Sequence, residues 1–135
     1  MMTGTKSILL IEDNTHDSEY IKQGLLSSGN CQVEMTQSSE HALELLTSET
    51  RESLPDIILL GINLPKTNGY DFLQIIKIYY SFINIKVYVL GNSSEEYDRQ
   101  RSLLLGAEEY FIKPTEPEKK VELVENLQNV IFGQS

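Results

Sequence analysis

Two adjacent carboxylates, Glu12 and Asp13, close the apolar run Ile8 to Ile11 and stand directly before Asn14 and Thr15, residue types that cap helices. An acidic pair in that position has two chemistries open to it. It can be the charge cluster that a helix N-terminus attracts, or half of a cation site. Far downstream, Lys113 and Pro114 follow a second apolar run, Tyr110 to Ile112. A lysine there can point back over the edge of a sheet toward the carboxylates. Two further apolar runs end in Gly61 and Gly91, where glycine costs entropy and packs nothing.

These residues meet only if the runs are neighbouring strands that end on the same side. Short branched-residue runs alternate with segments of helical period, the pattern of a parallel sheet covered on both faces. Five such units can be counted. Ser7 to Ile11 reads as a strand, followed by a helix capped by Asn14 or Thr15 and carrying Ile21, Leu25 and Leu26, which Ser28-Gly29-Asn30 stops. Gln32 to Thr36 alternates as an edge strand does, and a helix from about Ser39 turns Ala42, Leu43, Leu45 and Leu46 inward. Asp56 to Leu60 reads as a central strand, then a turn-rich loop from Leu64 to Gly69 leads into a helix over Tyr70 to Tyr79. Ile85 to Leu90 is the fourth strand, and Ser94 can cap a helix with Glu95 and Glu96 in its first turn, which Gly106 ends. Glu109 to Ile112 is the fifth strand, and a last helix with Pro117 near its start places Val121, Val124, Leu127 and Ile131 along one stripe.

Composition narrows the function classes. With 135 residues, 40% of them hydrophobic, the expectation is one domain over 1–135 with a core from about 6 to 132. Eleven Lys and Arg against 20 Asp and Glu leave a net charge of -9, which repels nucleic-acid phosphates and anionic lipid head groups. Neither nucleic acid nor a membrane is expected as a partner. Cys31 has no second cysteine for a disulfide or metal site and reads as an ordinary strand residue. Met1 to Ser7 lacks an apolar export segment and no run is long enough to span a bilayer, so the expected location is the cytoplasm.

The segments Ile8-Leu9-Leu10-Ile11-Glu12-Asp13-Asn14, Pro55-Asp56-Ile57-Ile58-Leu59-Leu60, Asn63-Leu64-Pro65, Asn68-Gly69, Gly106-Ala107 and Ile112-Lys113-Pro114 occur in that order. From about Lys6 to Leu127 the chain resembles the receiver domain of two-component response regulators, particularly the stand-alone kind. The resemblance implies a flavodoxin-like α/β fold, a doubly wound (βα)5 sandwich with parallel strand order 2-1-3-4-5 and its site at the carboxyl ends of the strands. It implies Mg²⁺ held by Glu12, Asp13 and the backbone carbonyl of Asn63, with a phosphoacceptor aspartate at the position of Gly61. It implies a Ser or Thr switch at Gly91, an aromatic switch at Tyr110, a conserved-role lysine at Lys113, and a cis Lys113–Pro114 bond.

At two of these positions the sequence departs from the family pattern. Gly61 has no carboxylate to act as nucleophile, and Gly91 has no hydroxyl to contact a phosphoryl oxygen. Asp56 lies at the other end of the third strand, roughly 16 Å away, and cannot substitute. Glu12, Asp13 and Lys113 together carry one net negative charge, so Mg²⁺ binding is expected to be weak or absent, with Lys113 freer to pair with Asp13 or Glu12. The glycines either reflect relaxed selection or open a small cleft between them. Tyr110 either rests inward in the volume vacated at Gly91 or is an ordinary half-buried strand aromatic.

The expected function is a receiver without catalytic activity, a pseudo-receiver in a two-component or phosphorelay pathway. It would act by contact with a sensor kinase, a phosphotransfer protein, a downstream effector or a second copy of itself. The partner face would contain Leu103, Leu104 and Tyr110, since Leu103, Leu104 and Leu105 span about 200° of a helix and cannot all face one core. Tyr79, Tyr80 and Phe82 form a second candidate patch. The rivals are a working receiver with another acceptor or an aspartate exchanged for Gly61, and a flavodoxin-like small-ligand binder. The last lacks a glycine-rich phosphate loop after the first strand.

Overall fold

A computed structural model describes residues 5–48, 53–64, 68–79, 84–92 and 94–133. Strands and helices alternate along them: β1 (Lys6–Ile11), α1 (Thr15–Ser28), β2 (Cys31–Thr36), α2 (Ser39–Thr47), β3 (Ile57–Gly61), α3 (Gly69–Tyr79), β4 (Lys86–Gly91), α4 (Glu96–Leu104), β5 (Glu109–Ile112) and α5 (Pro117–Phe132). All strand pairs are parallel, and the order is β2-β1-β3-β4-β5. This is the flavodoxin-like sandwich the sequence predicts.

The two-residue period of each strand builds two cores. Leu9, Ile11, Ile58, Leu60, Val87 and Val89 pack with Ala42 and Leu46 of α2 and Phe72, Leu73 and Ile76 of α3. Ile8, Leu10, Ile57, Leu59, Tyr88 and Leu90 pack with Ile21 and Leu25 of α1 and Leu123, Leu127 and Ile131 of α5. Every residue of β3 is buried, whereas β2, at the border, alternates.

Three details differ from the sequence reading. Leu26 is exposed beside buried Leu25, because one helical step turns a side chain by about 100°. Val121 is exposed and Leu123 takes its place in the stripe: four-residue steps from Leu127 stay on one face, whereas Val121, six residues earlier, lies about 240° round. The N-cap of α4 is Glu95, without a side-chain cap bond, rather than Ser94, because the backbone stays extended through Glu95 (φ -72, ψ 137). At α1 the cap is Asn14, whose side chain accepts from the Asp17 amide at 2.9 Å.

Gly69 sets the height of the edge. A Cβ there would lie 2.8 Å from the Gly61 carbonyl oxygen and 2.8 Å from Ile62 Cα, so only glycine lets the start of α3 rest on the end of β3. No peptide bond among the described residues is cis, so Lys113–Pro114 is trans, the isomer that X–Pro bonds favour, against the implication of the resemblance.

Candidate functional site at the carboxyl edge of the sheet

Parallel strands bring the candidate residues to one edge, where Glu12, Lys113 and Gly61 meet on one side and Gly91 and Tyr110 on the other. Glu12, 2% exposed, points into the protein, while Asp13 is exposed. The Glu12 carboxylate takes two donors: Lys113 Nζ at 2.9 Å on Oε1 and the Asn14 amide at 3.0 Å on Oε2. Lys113 reaches Asp17 Oδ2 as well, at 3.2 Å, so its ammonium bridges β1 and α1 rather than pairing with Asp13. Burial pushes the Glu12 carboxyl up from its ordinary value, and the Lys113 and Asn14 hydrogen bonds only partly offset it. Burial would lower Lys113, but the hydrogen bond and charge of Glu12, joined by Asp17, outweigh it and hold the amine above the ordinary lysine value. The site thus holds an ammonium at neutral pH.

Asp17 was not legible as a site residue. In sequence it is a first-turn acid of α1, which helix dipoles favour anyway, and only its contact with Lys113 gives it a second role.

Neither glycine leaves empty space. A Cβ on Gly61 would meet Glu12 Oε1 at 2.8 Å and the Ile11 carbonyl oxygen at 3.0 Å, so the Glu12 carboxylate packs against the position where a side chain at 61 would begin. A Cβ on Gly91 would collide with the Tyr110 hydroxyl and lie 2.7 Å from Cε1 and Cζ of the same ring. Tyr110 is 6% exposed, so its ring lies inward, in the volume that glycine vacates. Of the two alternatives for the glycines, an open cleft between them is therefore excluded: a carboxylate crowds one side and a phenol occupies the other.

Asn63 is exposed and faces a different space, a cleft of about 390 Å³ that it lines with Ile62, Asn68, Tyr70, Asn92, Asp98, Arg101 and Tyr110. On the wall of this cleft, the Tyr70 hydroxyl donates to Asp98 Oδ1 at 2.7 Å, and the Arg101 guanidinium lies 4.2 Å from the centre of the Tyr70 ring. Burial, then the bond to Asp98, raises the Tyr70 phenol above its ordinary value. Sequence reading missed this trio because its members come from α3 and α4 and share no local spacing.

Of the three residues expected to hold Mg²⁺, Glu12 is paired to an ammonium, Asp13 is exposed and Asn63 lines the cleft. Among the described residues no three His, Cys, Asp or Glu side chains are grouped to hold a metal ion. Asp56 lies at the opposite end of β3, where its carboxylate accepts from the Ser7 amide at 2.9 Å. On α4, Leu104 is 86% exposed, Leu103 is half-buried and Leu105 packs on the core. Tyr79 is exposed, and Tyr80 and Phe82 lie outside the described residues. No helix among those residues is long and apolar enough to cross a membrane.

Strand order, carboxyl-edge acids and a lysine after β5 together describe a receiver. The sequence model of the response regulator receiver domain matches residues 8–125, and the chain belongs to this family. It is 32% identical over 119 residues to the response regulator SaeR of Staphylococcus aureus, covering 88% of this chain and 49% of that protein. It is 32% identical over 107 residues to the sensor histidine kinase CheAY of Helicobacter pylori, covering 79% of this chain and 13% of that protein. The chain thus spans half or less of these curated relatives. Among solved structures, the phosphorylated cyanobacterial phytochrome response regulator RcpA superposes with a TM-score of 0.86 at 29% identity, covering 98% of this chain and 97% of that one. The Mn²⁺-bound form of response regulator Rcp1 gives 0.82 at 29% identity and 92% coverage of both chains.

Proposed function

We propose that this receiver domain of two-component signalling is a pseudo-receiver: a protein-contact module that does not accept a phosphoryl group by the family's aspartate chemistry. The observation that carries the reading is the acceptor position, a glycine crowded by a paired carboxylate. Gly61 offers no nucleophile, and the Glu12 carboxylate, bonded to Lys113, lies against the position its Cβ would take. The same pair argues against a resident Mg²⁺. With Lys113 on Glu12, a cation would have to displace an ammonium and would keep only Asp13 and the Asn63 carbonyl as the remaining family ligands. The donor set does not fit the ion, and no step is routed through it.

With Gly91 in place of a hydroxyl residue, the inward Tyr110 ring depends on packing rather than on phosphorylation. The module then presents a surface that does not depend on phosphorylation, and its partners are proteins: a kinase, a phosphotransfer protein, an effector or a second copy. Leu104, the most exposed large apolar side chain among the described residues, supports α4 as the contact face. We place the protein in the cytoplasm and assign it no enzymatic activity.

The test is intact-mass spectrometry after incubation with Mg²⁺ and a small phosphoryl donor, beside Gly61→Asp. The unaltered protein is expected to stay unmodified, while Gly61→Asp gains one phosphoryl group once the flexible Glu12 side chain swings aside. Phosphorylation of the unaltered protein would overturn the reading and reveal the acceptor used instead.

A further inference from the structure

We propose that the cleft between the β3–α3 end, the β4–α4 end and α4 is a binding site for a small organic monocarboxylate with a planar or apolar body. The cleft's volume, about 390 Å³, lies within the range of small-molecule sites, roughly 300–1,000 Å³. Among the described residues its one cation is Arg101. Among the described residues that guanidinium has no hydrogen-bond acceptor and no ion-pair partner; its contact is the face of the Tyr70 ring at 4.2 Å. A guanidinium held over an aromatic face keeps its fork of donors available, and that fork matches a carboxylate bidentately.

The other side chains at the cleft complete the recognition. Asn63 and Asn92 carry amide groups with no side-chain hydrogen bond to a described residue. Ile62, Tyr70 and Tyr110, each less than a tenth exposed, form the floor of the cleft, against whose apolar edges a ligand body would rest. Asp98 shares the wall, and its carboxylate already takes the Tyr70 hydroxyl at 2.7 Å. A second negative charge on the ligand would face that carboxylate, so a monoanion fits better than a phosphate dianion. The chain's overall charge of -9 is screened over about 8 Å at physiological salt and does not decide binding at contact.

Occupancy would reach the proposed contact face. The cleft is bounded by Tyr110 of β5 and by α4, whose one fully buried residue is Ser102, so α4 is lightly anchored and carries Leu104 outward. A chain unable to be switched at Gly61 would then be switched by a ligand. The site does not depend on the phosphorylation reading, because binding is measured without Mg²⁺ or a phosphoryl donor.

The experiment is an NMR titration with benzoate, with the neutral isostere benzamide and inorganic phosphate as controls, on the unaltered chain, Arg101→Gln and Arg101→Lys. Saturable shifts with benzoate at Arg101, Asn63, Asn92 and Tyr110 are expected, with benzamide and phosphate at least tenfold weaker. Arg101→Gln should lose at least tenfold in affinity with an otherwise unchanged spectrum. Arg101→Lys should also weaken binding, because it keeps the charge but not the fork. Non-saturating shifts, equal affinity for benzamide, or unchanged binding in Arg101→Gln or Arg101→Lys would overturn the proposal.

Discussion

The carboxyl edge of this sheet has a closed half and an open half. On the β1 side, Glu12, Lys113 and Asp17 form a dry ion-pair network, with Lys113 and Glu12 side chains 8% and 1% exposed. On the β4 side, Asn63, Asn92 and Arg101 line an open cleft, and Arg101 has no carboxylate partner among the described residues. The two halves meet at Gly61 and Gly91, each of whose missing side chains is replaced by a neighbour of matching character: a carboxylate on the charged side, a phenol ring on the aromatic side. Loss of a side chain from a packed edge does not leave a hole when a neighbour can move in. What it removes is chemistry, and it fixes the neighbour.

The closed half should break hardest. Lys113→Met leaves the Glu12 charge buried without its counter-ion and is expected to cost about 3–5 kcal/mol at neutral pH in urea denaturation. The loss should shrink as pH falls, since protonation of Glu12 removes the buried charge, and Glu12→Gln in the same chain should recover much of it. A loss under about 1 kcal/mol would show that the network contributes no more than an exposed pair.

Gly91→Thr sharpens the comparison at the junction. The new Cβ occupies space held by the Tyr110 ring, so the expectation is a destabilisation of about 1–3 kcal/mol and an outward Tyr110, seen as increased accessibility of its phenol to nitration or quenching. An unchanged Tyr110 environment would mean that the ring does not depend on that glycine.

Smaller effects lie on the α1 and α5 side. The Tyr20 hydroxyl is buried without a hydrogen-bond partner among the described residues, so Tyr20→Phe should stabilise the fold by about 1 kcal/mol. Alkaline pH gives a graded readout. Burial, with the charges of Asp17 and Glu12, pushes the Tyr20 phenol up to about 12; Tyr70, Tyr88 and Lys113 are raised as well. These groups bind protons more tightly folded than unfolded. Their stabilisation is therefore complete below their ordinary values of about 10 and is lost as pH rises toward the folded ones. The urea midpoint should fall steadily from about pH 10 upward, and a flat profile would contradict the shifts.

Much of the site was legible in the sequence, because a parallel sheet delivers strand ends to one edge. Glu12, Lys113, Gly61 and Gly91 could be assigned to that edge from their positions after apolar runs. Which carboxylate Lys113 would choose was not legible, since Glu12 and Asp13 are neighbours and only the direction of the chain at the end of β1 turns one in and one out. Asp17, and the Tyr70–Asp98–Arg101 wall, depend on how α1, α3 and α4 seat on the sheet, which no local pattern encodes. Helix phases failed where one apolar residue sat beside a better-placed one, as Leu26 beside Leu25 and Val121 two residues before Leu123.

The most direct test of a closed acceptor pocket is a Mg²⁺ titration of the unaltered chain, followed by the amide signals of Glu12, Asp13, Asn63 and Lys113. With Lys113 on Glu12, only weak, non-saturating shifts are expected through the millimolar range. Saturable binding well below millimolar Mg²⁺, centred on Glu12 and Asp13, would show that the cation displaces Lys113 and would contradict the account.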